Sequence, residues 1–201
     1  FFLAEPRAEL SWRLDHNSRL SVSFNQASQN LHMLSNSSVG LPSDMWLPVN
    51  SILKPITMRQ FSGGYERDLW NKRYTFSVEG YYRKSDGIID YKDNADLFLN
   101  NRIEEQVLTG ESNGYGVECS LAKNSGSITG RISYTYSRSY NRIAGIEEGK
   151  QYPSILDRPH NLKLFLNYAI NPKWDLSSTF SYCSGMNLTL PVGQYQFDGF
   201  L

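Results

Sequence analysis

The chain has 201 residues, enough for one good-sized core, and its 20 Lys plus Arg balance its 20 Asp plus Glu. A net charge of zero supplies no global field to draw in nucleic acid, and the two cysteines, Cys119 and Cys183, make neither a disulfide framework nor a zinc-binding spacing. No window approaches the length of a membrane-spanning helix, which excludes a helical membrane protein, while 13 Tyr, 10 Phe and 4 Trp favour strands.

Read for a period of two, the chain predicts about eight strands, each apolar on one face and polar on the other. The first, LSWRL, sets Leu10, Trp12 and Leu14 against Ser11 and Arg13; the second, LSVSFN, sets Leu20, Val22 and Phe24 against Ser21, Ser23 and Asn25. The third carries Phe61 and Tyr65 opposite Gln60, Ser62 and Glu66, and the fourth carries Phe76, Val78 and Tyr82 opposite Thr75, Ser77 and Glu79. YGVECSL and ITGRISYTYS follow with Tyr115, Val117, Cys119 and Leu121, then Ile128, Ile132, Tyr134 and Tyr136, on the apolar side. The last two set Leu162, Leu164, Leu166 and Tyr168 against Lys163 and Asn167, and Trp174, Leu176, Phe180 and Tyr182 against Ser177, Thr179 and Ser181.

Short links (DHNS, WNKR, KNSGS, NPK) alternate with long ones of roughly twenty to thirty residues, well above the usual length. An up-and-down meander with this alternation has its tight turns at one end and its long loops at the other, as in bacterial outer-membrane barrels. Trp12, Trp70, Tyr74 and Trp174 fall beside the short turns and Tyr82, Tyr136 and Tyr182 near the opposite strand ends, which predicts two interfacial girdles. Glu79, Arg83, Glu118, Arg131 and Lys163 lie on the polar face in or near mid-strand, where a dry core would not accept them unpaired. The apolar face is therefore predicted to meet outer-membrane lipid and those five residues to line a lumen.

EPRAELSWRL, SGGYERDL, FSVEGYYRKSDGIIDYKD, GYGVECSL, GRISYTYSRS and DRPHNL, with the long segment from LSVSFNQ to MWLPV, together resemble TonB-dependent outer-membrane receptors of the Bacteroidota style over nearly the whole chain. The resemblance implies a barrel of about twenty-two strands enclosing an N-terminal plug. Such a receptor imports a scarce small-molecule, glycan or peptide ligand, such as a siderophore, with energy supplied by the TonB system. No plug or TonB-box segment occurs here and the strands are too few for that barrel. Residues 1–201 are accordingly expected to be an interior slice of the β-barrel domain, an antiparallel transmembrane segment with short periplasmic turns and long extracellular loops. Two alternatives stay open: a complete small outer-membrane barrel acting as an adhesin, and a soluble carbohydrate-binding β-sandwich.

No residue pattern supports catalysis, so the chain is expected not to be an enzyme and to need no cofactor. Ser residues occur without a nucleophile elbow, and His16, His32 and His160 are scattered, which predicts no metal site. His160 in DRPHNL is expected to order the entry into a strand, and both cysteines are expected on the apolar face. Asp86, Asp90, Asp93 and Asp96 share a predicted outer loop but lack calcium-loop spacing. Recognition is expected in the outer loops, with Trp46, Tyr91 and Tyr140 as candidate ligand-binding aromatics.

Overall fold

The computed structural model describes residues 3–34, 45–92 and 103–187. Their strands are β1 (Arg7–Arg13), β2 (Ser18–Gln29), β3 (Leu31–Leu34), β4 (Met45–Pro48), β5 (Ile56–Leu69), β6 (Tyr74–Tyr91), β7 (Val107–Lys123), β8 (Ile128–Ile143), β9 (Tyr152–Pro153), β10 (His160–Asn171) and β11 (Trp174–Cys183). One antiparallel sheet runs β1-β2-β5-β6-β7-β8-β10-β11, with β9 added beside β8, and β3 pairs with β4 in a separate hairpin. The eight long strands are those predicted from the alternation, in chain order.

Two adjacent rows show how the alternation constrains the register. Trp12, Leu20, Tyr65, Val78, Cys119, Tyr134, Leu162 and Tyr182 are successive cross-strand partners from β1 to β11. One residue along each strand, the row reads Arg13, Arg19, Glu66, Ser77, Ser120, Ser133, Lys163 and Ser181. Slipping any strand by one place would drive its apolar side chains into the polar row, so the pattern penalises every neighbouring register.

The apolar row also climbs. Trp12 lies beside the turn at 14–17, whereas Tyr182 lies at the end of β11 remote from the turn at 172–173. Seven strand spacings of about 4.8 Å, tilted by about 40°, lift such a row by roughly 22 Å, close to the height of a membrane-spanning apolar band. One perpendicular row thus joins Trp12 of one predicted girdle to Tyr182 of the other, the stagger that a tilted barrel wall requires.

The tight turns are tied together at one end. Asp68 N–H donates to Asn17 O at 2.7 Å, Asn124 N–H to Arg73 O at 2.8 Å, and Ala169 N–H to Ser127 O at 2.8 Å. The 70–73 turn runs through positive φ at Trp70, Asn71 and Lys72, and the Trp70 ring meets Tyr74 edge-on at 5.2 Å. Burial follows from the single-layer architecture. Trp12, Phe61, Trp174 and Phe180 are each more than half exposed on the apolar face. Among the described residues no second sheet covers that face, as the sandwich alternative would need. Nor do β1 and β11 pair with each other, as a closed eight-stranded barrel would need. The described strands thus form an open, antiparallel, up-and-down sheet with one apolar and one polar face, the construction of a segment of β-barrel wall.

Three expectations need correction. The long connections are shorter than predicted because β6, β7 and β8 continue past the girdle; SDGIIDY is strand, not loop. Asp86 and Asp90 therefore sit on β6, where Asp86 partners Glu111 and Asp90 partners Leu108 across a register shift at Gly87, while Asp93 and Asp96 lie outside the described residues. Cys183 is on the polar face, in line with Asn161, Thr135 and Glu118, whereas Cys119 is on the apolar face between Val78 and Tyr134. The alternation in SYCS was read from Tyr182, and the cysteine one position on necessarily points the other way.

Candidate functional site

Past Tyr82 the strand β6 continues to Tyr91, about 30 Å further along the chain, and this extension supports a small lobe. Gly87 makes the bulge that allows it: φ is 84° and an added Cβ would come within 2.9 Å of Pro55 O, so the loop backbone packs directly against the strand. In the β3–β4 hairpin His32 and Leu47 are partners and Met33 partners Trp46, so one face turns inward and the other outward. Leu34, Leu47, Leu53 and Val107 form the lobe's apolar core, with Met45, Ile89, Tyr91 and Ile103 packed around them.

Between this lobe and the polar face lies a cavity of about 530 Å³, a size typical of small-molecule sites. Its strand wall includes Tyr81, Arg83 and Ser85 from β6 and Ser137, Ser139 and Asn141 from β8; the 154–158 segment and β3 supply further sides. Glycines on β7 shape that wall. Tyr81 leans across its partner Gly116, where a Cβ would meet the phenol oxygen at 2.8 Å, and Arg83 lies over Gly114 with its guanidinium 3.5 Å from the corresponding Cβ position.

Electrostatics divide the ionic groups of this cavity into engaged and free ones. Asp157 is 3 % exposed and accepts from Arg138 Nε at 3.2 Å and from Ser139 N–H at 2.7 Å, so one carboxylate replaces the missing ladder contacts of the irregular 154–159 stretch. Asp90 accepts from the Tyr152 hydroxyl at 3.2 Å, and burial together with this carboxylate pushes the Tyr152 phenol far above its ordinary range. His32 is buried, with Nε2 2.9 Å from Lys54 O and Nδ1 without a hydrogen-bond partner among the described residues. Arg83 and Arg158 line the cavity with no ion pair among the described residues.

The five charged residues singled out in the sequence share the polar face at different heights. Glu79 and Glu118 are direct cross-strand partners, with Thr135 Oγ1 donating to Glu118 at 3.4 Å, and neither carboxylate has an ion pair among the described residues. Arg131 stands between Ala122 and Phe165 near the turn before β8, and Lys163 stands between Ser133 and Ser181 close to the start of β10, remote from the 172–173 turn; only Arg83 reaches the cavity. The three candidate aromatics are not brought together. Trp46 is exposed on the hairpin, Tyr91 packs on the lobe core, and Tyr140 is a β8 residue with the Arg138 guanidinium over its ring at 5.0 Å. His160 opens β10 and bonds through Nδ1 to the Tyr134 hydroxyl at 2.7 Å.

Alternation could not find Asp157, Arg158 or His32, because each is placed by an irregular connection or short hairpin. The only local signal was the aspartate, arginine and proline of DRPHNL ahead of a strand. Among the described residues no three His, Cys, Asp or Glu side chains come together to hold a metal ion.

A family model described as TonB dependent receptor-like, beta-barrel matches residues 4–200. No curated protein matches the chain.

Proposed function

Because the chain belongs to the TonB-dependent receptor β-barrel family, we propose that it forms part of the wall and outer vestibule of an outer-membrane receptor that imports a ligand with TonB-coupled energy. As a family these receptors sit in the outer membrane and carry a plug domain that engages TonB. In this reading the apolar face meets lipid, further strands continue the sheet at β1 and β11, and the polar face surrounds the plug. Unpaired strand edges are untenable in hydrocarbon, which supports strands on both sides. Glu79, Arg83, Glu118, Arg131 and Lys163 then share the lumen face, where Glu79, Glu118, Arg131 and Lys163 hold the plug or the passage opened beside it and Arg83 stands at the vestibule cavity. The chain binds and admits its ligand without catalysis.

The observation that carries this reading is the cavity at the loop end of the polar face, roofed by a lobe with its own core. Loops held on a rigid frame are where recognition is expected, and this vestibule opens on the face assigned to the lumen. The test is to tag the native gene product, fractionate the membranes and crosslink to TonB. A heat-modifiable outer-membrane product that crosslinks to TonB is expected. A product in the outer membrane that never contacts TonB would remove the energy-coupled import reading.

A further inference from the structure

We propose that the vestibule cavity binds an oxyanionic ligand, through a carboxylate or phosphate group held by Arg83 and Arg158. This deepens the import reading and rests on it.

The cavity brings three guanidinium groups and two carboxylates to its lining, but the five are not equivalent. Asp157 takes up Arg138 through a bond of 3.2 Å, and its other oxygen is occupied by Ser139 N–H. The Asp90 carboxylate accepts from Tyr152 and from the Tyr91 N–H. Arg83 and Arg158 therefore remain as half-buried cations without a carboxylate among the described residues. Withdrawing a guanidinium from water is unfavourable unless an anion meets it, and its planar fork matches carboxylate and phosphate oxygens in paired hydrogen bonds.

Local construction keeps the two arginines available. Arg83 lies along the wall over Gly114, its guanidinium 3.5 Å from the position a Cβ would take, and the pair at Asp157 pins the segment that carries Arg158. The Ser85 and Tyr81 hydroxyls border the same space and supply neutral donors beside the charged ones.

The experiment titrates the purified full-length receptor, in detergent, with citrate and with inorganic phosphate by calorimetry, with sucrose as a neutral probe. Saturable binding of at least one anion is expected, with no response to sucrose. Arg83→Gln and Arg158→Gln should each raise the anion Kd about tenfold or more, the loss expected for a charged hydrogen bond. Lys84→Gln removes one positive charge at the same height on the opposite face, outside the cavity lining, and should leave the Kd within about twofold, since that charge is already paired with Glu111 at 2.7 Å. Heat-modifiable mobility of every variant verifies assembly. Absence of saturable binding by either anion, an unchanged Kd in both arginine variants, or an equal loss in Lys84→Gln would overturn the proposal. TonB crosslinking of the same preparations separates the two readings: crosslinking without anion binding removes only the oxyanion assignment, whereas loss of crosslinking in the wild type removes the import reading.

Discussion

Arg138 and Asp157 form a pair in which a nearly inaccessible carboxylate serves two consecutive residues of β8 at once, accepting the Arg138 guanidinium at 3.2 Å and the Ser139 N–H at 2.7 Å. The segment 154–159 has no regular ladder, and this carboxylate fastens it to β8. Asp157→Ala removes a charged acceptor worth about 1.5–3 kcal/mol. Amide exchange at Ser139 should accelerate about 10- to 100-fold, while exchange near the 124–127 turn stays unchanged. Equal protection of Ser139 in the variant would show that the pair does not fasten the segment.

Neighbouring residues of β6 should respond oppositely to charge. Val78 stands in the apolar row between Tyr65 and Cys119, and Ser77 in the polar row, with its hydroxyl 2.8 Å from that of Ser120. An arginine at a lipid-facing midplane position costs about 2–4 kcal/mol, so Val78→Arg should depress assembly into vesicles. Ser77→Arg should assemble nearly as wild type. If the two variants assembled alike, the assignment of faces would be wrong.

The native cysteines report the same geometry without substitution. Cys183 is exposed on the polar face and Cys119 half-buried on the apolar one. In receptor reconstituted into vesicles, a charged water-soluble maleimide should label Cys183 first, and a lipophilic one should also reach Cys119. Preferential labelling of Cys119 by the charged reagent would reverse the two faces.

Lys84 and Glu111 couple β6 to β7 above the girdle, 2.7 Å apart. The hydrogen bond from Lys84, with its charge, holds the Glu111 carboxyl below its ordinary value, and the same bond holds the Lys84 ammonium above its own. A lowered carboxyl stabilises above its unfolded pKa and loses that contribution as pH falls through the folded one. A raised ammonium stabilises below its unfolded pKa and loses it as pH rises through the folded one. Protection of the β6–β7 extension should therefore be greatest between the ordinary carboxylate and lysine ranges and fall on either side. Lys84→Met should abolish the acid-side fall that depends on Glu111, a result read from exchange at residues 108–113 across pH.

Glu79 and Glu118 face each other directly on the polar side, an arrangement that disfavours the sheet unless a cation meets it. If the polar face surrounds the plug, Glu118→Gln and Arg131→Gln should leave heat-modifiable assembly intact and weaken ligand uptake. Failure of both variants to assemble would give these residues a structural role instead.

A period of two was enough to reveal the eight long strands in chain order and which face of each is apolar, since a one-place slip would turn the whole apolar set to the other side, whereas the pairing itself came from the fold. Tertiary structure decided what the period cannot encode. Whether SDGIIDY is loop or strand depended on partners supplied by β7 and on the bulge at Gly87, neither visible in its own composition. The cavity depended on an irregular segment and a short hairpin arriving over β6 from distant parts of the chain, with Arg158 and His32 brought to the same space as Arg83. Local alternation fixes which way a side chain points because adjacent residues share one pleat; it carries no information on which remote segment it will meet. That is why the wall was legible from the residues and the binding site only from the fold.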